Sequence, residues 1–474
     1  MNRLRTFIAG LLLAGGLSLG FAVSAQAPVH IVIAHTNDLH GQLLPRNGVG
    51  GMAEIATLIR GMKPDLVLDA GDLFTGTFLS DEFKGEPTIR AMNGIRYTAG
   101  TIGNHEFDYG QPVLRMRLRD ARFPLLSANL QTPIGQIKRY VTVTVKGIRF
   151  GIIGATTREI TTTTHPRNLG GVTVLDVVKA IEQVLPDVRS KSDFVIVTAH
   201  LTAEEEKGVA EAFPEIRLIV GGHVHSALGP IWIGETMVAR TGNVGRFVGR
   251  VDLDFSARVM RRMEGKLIPV MDVAAAADIS KIIEPYQKKV AARMNEVIGE
   301  ASADLASANN AESSLANLIA DAYREHGKTQ IAFQNVGGIR ARIPGGPITW
   351  GSVFEVLPFQ NTLVTLKLTG AQLKKTLGWN LLGVSGVRVR LDLSKPPGQR
   401  LVSATLTDGS PLEDTTSYTV TTNDFVLAGG DGFSEVGKGA EIKDSGILLR
   451  DVFVTYLKAH GVLSPVLDGR VIVD

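Results

Sequence analysis

Aspartate, asparagine and histidine recur in five short clusters in the first half of the chain, each directly after a run of strand-like apolar residues. The clusters are Asp38-Leu39-His40, Gly71-Asp72, Gly103-Asn104-His105-Glu106-Phe107-Asp108, His200, and Gly222-His223-Val224-His225. Carboxylate, imidazole and amide oxygen are ligands that hard-to-borderline divalent cations accept. Thiolate ligands are excluded because the chain has no cysteine. The inventory therefore predicts a centre for two divalent metal ions that share one carboxylate, for which Asp72 is the natural candidate.

Two divalent ions about 3.5–4 Å apart can clamp an in-line displacement at phosphorus and lower the pKa of a water toward about 7. No side chain then needs to act as the nucleophile. Residues 28–474 contain no Gly-x-Ser-x-Gly motif, which agrees with this chemistry. We predict that Asn104 gives a carbonyl oxygen to the second ion and that His200, His223 and His225 complete the two ligand sets.

His105 and Asp108 are predicted to act together. If their segment begins a helix, Asp108 can accept a hydrogen bond from the His105 ring and keep that ring protonated. The pair would then stabilise the charge that develops on phosphoryl or leaving-group oxygens. The alternative is that Asp108 caps the start of a helix.

Short β-branched runs alternate with segments of helical spacing from His30 onward. The predicted strands are residues 30–35, 65–70, 96–102, 150–154, 193–199 and 217–220. The predicted helices are residues 52–62, 87–94 and 174–188. The clusters fall at or just beyond the carboxyl ends of these strands, where open α/β sheets place their ligands. The sequence therefore predicts an α/β fold whose strand ends build the metal centre.

A second domain is predicted because the alternation of strand-like and helical segments gives way to one long helical segment after Met271. Residues 274–299 are expected to form one long linking helix, which gives domains at 28–273 and 300–474. The second domain has a predicted helix at 315–325 and predicted strands at 362–368 and 387–391. Its glycine-rich segments, 335–340 and 423–433, are either part of a pocket or tight turns that need positive φ.

The first 27 residues are typical of a secretory signal, with Arg3 and Arg5, an apolar run and a small-residue cleavage site at Ala25-Gln26-Ala27. We expect a periplasmic or secreted protein. This segment holds two Arg and no acidic residue, so its removal lowers the formal net charge from +3 to +1. A near-neutral mature chain gives no electrostatic reason to expect a polynucleotide or membrane partner. The oligomeric state stays open.

The other five histidines lack a comparable context. We predict that His35 is buried in the strand that leads to Asp38. The remaining four are predicted to be ordinary surface residues: His30, His165, His326 and His460.

The motifs, in this order, resemble those of calcineurin-like metallophosphoesterases. The whole mature chain is similar to the secreted bacterial 5′-nucleotidase and UDP-sugar hydrolase family, with matches at residues 36–41, 103–108, 221–225, 335–340 and 423–433. The resemblance implies a four-layer α/β sandwich, a linker helix and an α/β C-terminal domain that binds substrate. It also implies two metal sets and a catalytic dyad. The first metal set is Asp38, His40, Asp72 and His225. The second metal set is Asp72, Asn104, His200 and His223. The dyad is His105 with Asp108. The family often has Gln or Asn at the position of His225.

The resemblance implies substrate contacts at four positions of the C-terminal domain. Arg340 would bind phosphate through its paired donors, Asn335 would contact the base, and Phe425 with Asp431 would form the nucleoside pocket. Two typical groups are absent: residues 301–311 contain no Arg or Lys, and a second stacking aromatic would fall near the aliphatic Leu381. Arg342 is a hypothetical replacement for the arginine.

These features predict a secreted hydrolase of nucleoside 5′-monophosphates that depends on two Zn, Mn, Co or Fe ions. A 2′,3′-cyclic nucleotide phosphodiesterase and a UDP-sugar hydrolase are alternatives, because both use the same core with another leaving group. A sulfur-oxidation thiohydrolase of similar architecture is a further one. A periplasmic binding protein without turnover is the alternative outside catalysis.

Overall fold

The computed structural model describes residues 28–474, apart from the side chain of Leu228, so the predicted signal segment lies outside the described residues. The strands of the N-terminal half are β1 (Val29–Thr36), β2 (Leu66–Asp69), β3 (Gly100–Thr101), β4 (Leu125–Leu126), β5 (Leu130–Gln131), β6 (Tyr140–Val145), β7 (Ile148–Thr156), β8 (Thr173–Val174), β9 (Phe194–His200), β10 (Leu218–Gly221), β11 (Ala227–Ile233), β12 (Thr236–Thr241), β13 (Phe247–Ser256) and β14 (Val259–Pro269). Its helices are α1 (Met52–Met62), α2 (Phe78–Asp81), α3 (Glu86–Ile95), α4 (Gly110–Asp120), α5 (Ile160–Thr163), α6 (Val177–Lys191) and α7 (Ala203–Ala212).

Two sheets stack face to face in this half. One has the strand order β14-β13-β1-β2 and the other β11-β12-β10-β9-β7-β6. Apolar side chains that alternate along the strands fill the space between them, among them Ile31 and Ile33 from the first sheet and Ile152 and Ile196 from the second. Helices α1 and α3 cover the outer face of the first sheet, and α6 and α7 cover the second. The result is a four-layer α/β sandwich.

The parallel strands of both sheets end at the same edge. Strand β1 runs parallel to β2, and β9 runs parallel to β7 and β10. The short strand β3 continues the first set through a parallel bridge from Leu68 to Ala99. Because the carboxyl ends of parallel strands meet at one edge, all five polar clusters emerge there.

Helix α8 (Ala277–Met294) lies between the two halves, and the strands and helices of the C-terminal half follow it. They are β15 (Val297–Ala301), α9 (Ser314–Gly327), β16 (Ile331–Asn335), β17 (Gly346–Thr349), α10 (Trp350–Val356), β18 (Thr362–Thr369), α11 (Gly370–Leu377), β19 (Leu382–Ser385), β20 (Val387–Leu391), β21 (Leu401–Leu406), β22 (Ser417–Asn423), α12 (Asp424–Leu427), β23 (Ala440–Leu448), α13 (Leu449–His460), β24 (Val462–Leu463) and β25 (Val471–Val473). They form sheets in the orders β17-β15-β24, β19-β16-β22-β18-β23 and β21-β20-β25.

The two halves share apolar packing. The ring of Phe78 contacts those of Trp350 and Phe354, with centroid distances of 4.5 and 5.0 Å. These rings belong to a buried cluster that continues through α8, with Ile279 and Ile283. The packing therefore fixes the strand ends of the first half against the C-terminal half.

Most predicted elements appear with shifted ends. Helix α1 has the predicted bounds, whereas the strand expected at 96–102 shrinks to Gly100–Thr101. The predicted linking helix ends at Met294 instead of continuing to 299, because Val297 pairs with Thr349 in β17 and β-branched residues favour strands. None of the helices within residues 28–474 has the length and apolar character needed to cross a membrane.

Candidate metal centre and substrate cavity

The loops after the strands turn sharply inward at the predicted ligands. Asp38, His40, Asp72, His223 and His225 all have positive φ, between 46° and 74°. Asp and His tolerate this left-handed conformation better than β-branched residues do. Strained backbone of this kind persists only where the surrounding structure holds it, and it is frequent at functional sites.

Four of the predicted ligands form a first group. Asp38, His40, Asp72 and His225 each offer one ligand atom, and these atoms all lie within 4.8 Å of one another. Nε2 of His40 lies 2.9 Å from Nε2 of His225, which lies 3.3 Å from an oxygen of Asp38. Such a convergence of nitrogen and oxygen lone pairs suits a divalent cation.

A second group shares Asp72 with the first. Ligand atoms of Asp72, His200 and His223 lie within 4.8 Å of one another. Nε2 of His200 is 3.1 Å from Oδ2 of Asp72 and 3.1 Å from the side-chain oxygen of Asn104. The structure thus brings together all seven predicted ligands, with Asp72 between the two groups.

Backbone carbonyls anchor two of these imidazoles from outside. Nδ1 of His40 lies 3.0 Å from the carbonyl oxygen of Thr75, and Nδ1 of His200 lies 2.8 Å from that of Ala70. If Nδ1 donates each hydrogen bond, the lone pair of Nε2 in the neutral ring points into the cluster, as in known metal sites. Burial, followed by the charge of His225, holds the pKa of His40 well below its ordinary value, which favours this neutral form.

The charges of the cluster also favour a cation. Burial alone would raise the pKa of Asp72, but His200 and His105 outweigh it, so the pKa lies well below the ordinary value. Burial lowers the pKa of His200, whereas the charge of Asp72 raises it to about 10. The buried carboxylates therefore attract positive charge strongly enough to protonate an imidazole. Metal binding would supply that charge and release the proton, so the donor set fits divalent ions.

Glu106 holds two of the loops together, a role that its place in the Asn-His-Glu motif does not predict. Its buried carboxylate accepts the N–H groups of Asp72 at 3.0 Å, Leu73 at 2.7 Å and Gly103 at 2.6 Å. Gly103 also passes close to the site, since a Cβ there would lie 2.2 Å from Oδ1 of Asp72. Burial and then the charge of Asp72 raise the pKa of Glu106 to about 7.

The predicted dyad has hydrogen-bonding geometry. Nδ1 of His105 lies 2.7 Å from Oδ2 of Asp108, within a short 3₁₀ turn that precedes α4. Burial lowers the pKa of His105, but Asp108 and Asp72 outweigh it, so the pKa lies above the ordinary value. The side chain of Asp108 therefore contacts His105, which is the arrangement that the sequence predicts. The ring of Phe359 stacks on His105, with centroids 5.4 Å apart and planes 13° apart.

One cavity joins the metal ligands to the C-terminal half. Its lining includes Asp72, Asn104, His105, Asp108, His223 and His225, together with the four predicted substrate residues Asn335, Arg340, Phe425 and Asp431. Asn335 donates a hydrogen bond to Asp431 at 2.7 Å. The ring of Phe425 covers Gly430, where a Cβ would lie 2.4 Å from the ring. Asp431 has a φ of 52°, so the second glycine-rich segment is both a tight turn and a cavity wall.

The structure corrects two expectations about this cavity. Leu381 is buried in the C-terminal core, and the second aromatic ring of the cavity is Phe359 instead. Arg342 binds Asp304 at 3.2 Å, whereas the second arginine of the cavity is Arg167, from the N-terminal half. Local motif matching finds neither residue, because both reach the cavity through packing between the halves.

The remaining histidines divide as follows. His35 is buried, as predicted, and His30, His326 and His460 are exposed. His165 is not an ordinary surface residue. Its side chain is 16% exposed, lines the cavity, and lies 3.4 Å from Oδ2 of Asp424, which Arg167 also contacts at 3.1 Å.

Comparisons with known proteins match both halves. The family model for calcineurin-like phosphoesterase matches residues 31–227, and that for the 5′-nucleotidase C-terminal domain matches residues 290–438. A crystal structure of a 5′-nucleotidase precursor from Thermus thermophilus is 32% identical in sequence, with a TM-score of 0.88; the match covers 94% of this chain and 99% of that one.

Two further similarities are more limited, one in the share of the relative that is covered and the other in sequence identity. The trifunctional nucleotide phosphoesterase protein YfkN of Bacillus subtilis (strain 168) is 28% identical over 513 residues, a match that covers 93% of this chain. This chain spans only 35% of that protein's length. The Thermus thermophilus sulfate thiohydrolase SoxB has a TM-score of 0.81 at 19% identity, over 94% of this chain and 96% of that one. That likeness shows the fold alone.

Proposed function

Because this chain belongs to the 5′-nucleotidase family of calcineurin-like metallophosphoesterases, we propose that this metal-dependent phosphoester hydrolase dephosphorylates nucleoside 5′-monophosphates. One observation carries the proposal. A single cavity is lined by donor-cluster residues of the N-terminal half, among them Asp72 and His223, and by Arg340, Phe359 and Phe425 of the C-terminal half. A nucleotide offers matching groups: a phosphate for the donor cluster and Arg340, and a flat base for an aromatic ring.

We propose two divalent ions, either Zn, Mn, Co or Fe, as the cofactors. One would be held by Asp38, His40, Asp72 and His225, and the other by Asp72, Asn104, His200 and His223. When bound, such ions lower the pKa of a water and stabilise charge on phosphoryl oxygens.

The side chains around the cluster would do the rest of the chemistry. His105, protonated and hydrogen-bonded to Asp108, would donate a hydrogen bond to an oxygen of the phosphate or of the leaving group. Arg340 would bind the phosphate from the opposite side of the cavity. Its guanidinium lies over the ring of Phe359, at 5.8 Å from the centroid. Arginine suits this position because its planar fork makes paired hydrogen bonds to phosphate oxygens.

The nucleoside would occupy the C-terminal end of the cavity. Phe425 lines the cavity and would offer its ring for a base to stack on, whereas the ring of Phe359 already stacks on His105. Asn335 and Asp431, already hydrogen-bonded to each other, would recognise polar edges of the base or sugar. Burial raises the pKa of Asp431 above its ordinary value.

A second candidate reaction is hydrolysis of UDP-sugars. A neighbouring polar pocket shares His225 and Arg340 with the cavity and is also lined by Arg46, Gln42 and Asn243. The further phosphate and the sugar of a UDP-sugar would occupy this pocket. The 2′,3′-cyclic phosphodiesterase, thiohydrolase and non-catalytic alternatives have no such pocket-based support. We also propose secretion to the periplasm or medium, and two domains, at 28–273 and 300–474, joined by the segment 274–299.

A parallel assay tests the proposal. The purified protein, loaded in turn with Zn, Mn, Co or Fe, is given AMP, a UDP-sugar, a 2′,3′-cyclic nucleotide and a thiosulfate ester. We expect the highest kcat/KM on AMP and loss of activity after chelation. A preference for any other substrate would replace the proposed one, and inactivity with every ion would favour the binding protein.

Arg340→Ala tests the C-terminal half separately. Loss of a charge-assisted hydrogen bond of about 1.5–3 kcal/mol predicts a decrease in kcat/KM on AMP of roughly 10- to 100-fold. The matched control is Arg342→Ala, because Arg342 lies two residues away and binds Asp304. Equal activity of the two variants would remove Arg340 from the proposed site.

A further inference from the structure

The His223 ring has a different kind of hydrogen-bond partner from the rings of His40 and His200. Whereas the latter two rings contact backbone carbonyls, Nε2 of His223 lies 2.8 Å from the carboxylate oxygen Oε2 of Glu159. We propose that Glu159 is a positioning residue that orients His223 as a ligand of the second metal group and strengthens it. This inference rests on the proposed metal centre.

The backbone before Glu159 is fixed to the same strand end that carries His200. The N–H of Thr157 donates to the carbonyl of His200 at 2.7 Å. The carboxylate of Glu205 accepts the Thr157 hydroxyl at 2.8 Å and the N–H of Arg158 at 3.0 Å. Glu205 itself belongs to the capping box at the start of α7. The backbone that carries Glu159 is therefore fixed relative to His200, which distinguishes Glu159 from an arbitrary surface carboxylate.

His223 is fixed on its backbone side as well. Its N–H donates to both oxygens of Asp38, at 3.1 and 3.0 Å. If Nε2–H donates to Glu159, the lone pair of the neutral ring is on Nδ1. A carboxylate partner also makes an imidazole a stronger ligand than a carbonyl partner does. Glu159 would thus set both the tautomer of His223 and its basicity.

The competing explanation is an ordinary surface ion pair. The side chain of Glu159 is 54% exposed, and exposed pairs contribute little to stability. The two explanations differ in what they predict for metal affinity. A surface pair would leave metal affinity unchanged, whereas loss of the outer partner of a ligating histidine typically weakens it by about 10- to 100-fold.

The test measures metal binding by the full chain without any substrate. Mn²⁺ and Zn²⁺ affinities are determined by competition with a chromogenic chelator, and the number of ions is counted by native mass spectrometry. For Glu159→Ala we expect one of two binding steps to weaken by about 10- to 100-fold and the other to stay within about twofold. Glu159→Gln, which can still accept a hydrogen bond, should lose less. The control Glu204→Gln removes an exposed carboxylate from α7 and should match the parent.

Activity supplies the second readout. Because only positioning is lost, excess metal should restore kcat of Glu159→Ala on AMP to near the parent value. Unchanged affinities in Glu159→Ala, with a parent protein that binds two ions and hydrolyses AMP, would overturn this inference and leave the proposed function intact. A parent protein that binds no divalent ion would overturn both.

Discussion

Glu106→Gln probes the buried carboxylate that links the Asp72 loop to the Gly103 loop. The glutamine keeps one acceptor oxygen, which can replace Oε2 and receive the N–H groups of Asp72 and Gly103. Its amide nitrogen then faces the N–H of Leu73, which lies 2.7 Å from Oε1 in the parent protein. Two donors cannot bond to each other, so at least one buried hydrogen bond is lost, and above about pH 7, where the carboxylate of Glu106 is ionised, that bond is charge-assisted.

Such a loss predicts a decrease of about 2 kcal/mol in the free energy of unfolding of the N-terminal half. Because the affected loops carry Asp72 and Asn104, metal affinity should fall as well. Urea unfolding of the metal-free protein measures the first effect, and chelator competition measures the second. Glu54→Gln is the matched control, because Glu54 is also a buried carboxylate of this half but has an oxygen without a hydrogen-bond partner.

We expect Glu54→Gln to be neutral or stabilising. If Glu106→Gln unfolds at the same urea concentration as the parent and binds metal equally well, the three hydrogen bonds do not support the site. The reasoning given for Glu106 would then be wrong.

Two further predictions concern buried charge. His35 is buried, its Nδ1 has no hydrogen-bond partner, and burial lowers its pKa from 6.5 to about 4. Below pH 6.5 the unfolded chain takes up a proton at this residue, whereas the folded protein does so only near pH 4. The free energy of unfolding is therefore highest above pH 6.5 and decreases by up to about 3 kcal/mol as the pH falls toward 4. His35→Phe should flatten the pH dependence of urea unfolding in that window, and an unaltered slope would contradict this assignment. Glu206 and Arg240 form a buried ion pair beside Gly221, so Glu206→Gln should lower the free energy of unfolding by about 3–5 kcal/mol. The double variant Glu206→Leu with Arg240→Met should recover most of that loss, and a double variant as unstable as the single one would show that the unpaired charge is not the cause.

The α/β fold class and the family resemblance are confirmed. The sequence predicts them because strands, strand-end clusters and glycine turns are local patterns, with side-chain spacing that backbone geometry enforces. Asp38, His40 and Asp72 each follow a strand by a few residues, so the end of the strand fixes the edge at which they appear. Their convergence with His200 and His223 follows once the strands are parallel. The roles assigned to these residues stay predictions.

The sequence by itself determined the donor types, their order and the edge of the sheets at which they gather. Only the tertiary structure decided what surrounds them. Phe359 reaches His105 across 254 positions of chain, and Arg167 reaches Asp424 across 257, through packing between the two halves. The outer partners Glu106 and Glu159 were equally hidden, because a carboxylate at a given position has no local signature that tells which N–H or imidazole it will meet. Such contacts depend on how distant segments pack, and that is settled by the buried core that Phe78 and Trp350 share, not by the spacing of residues along the chain.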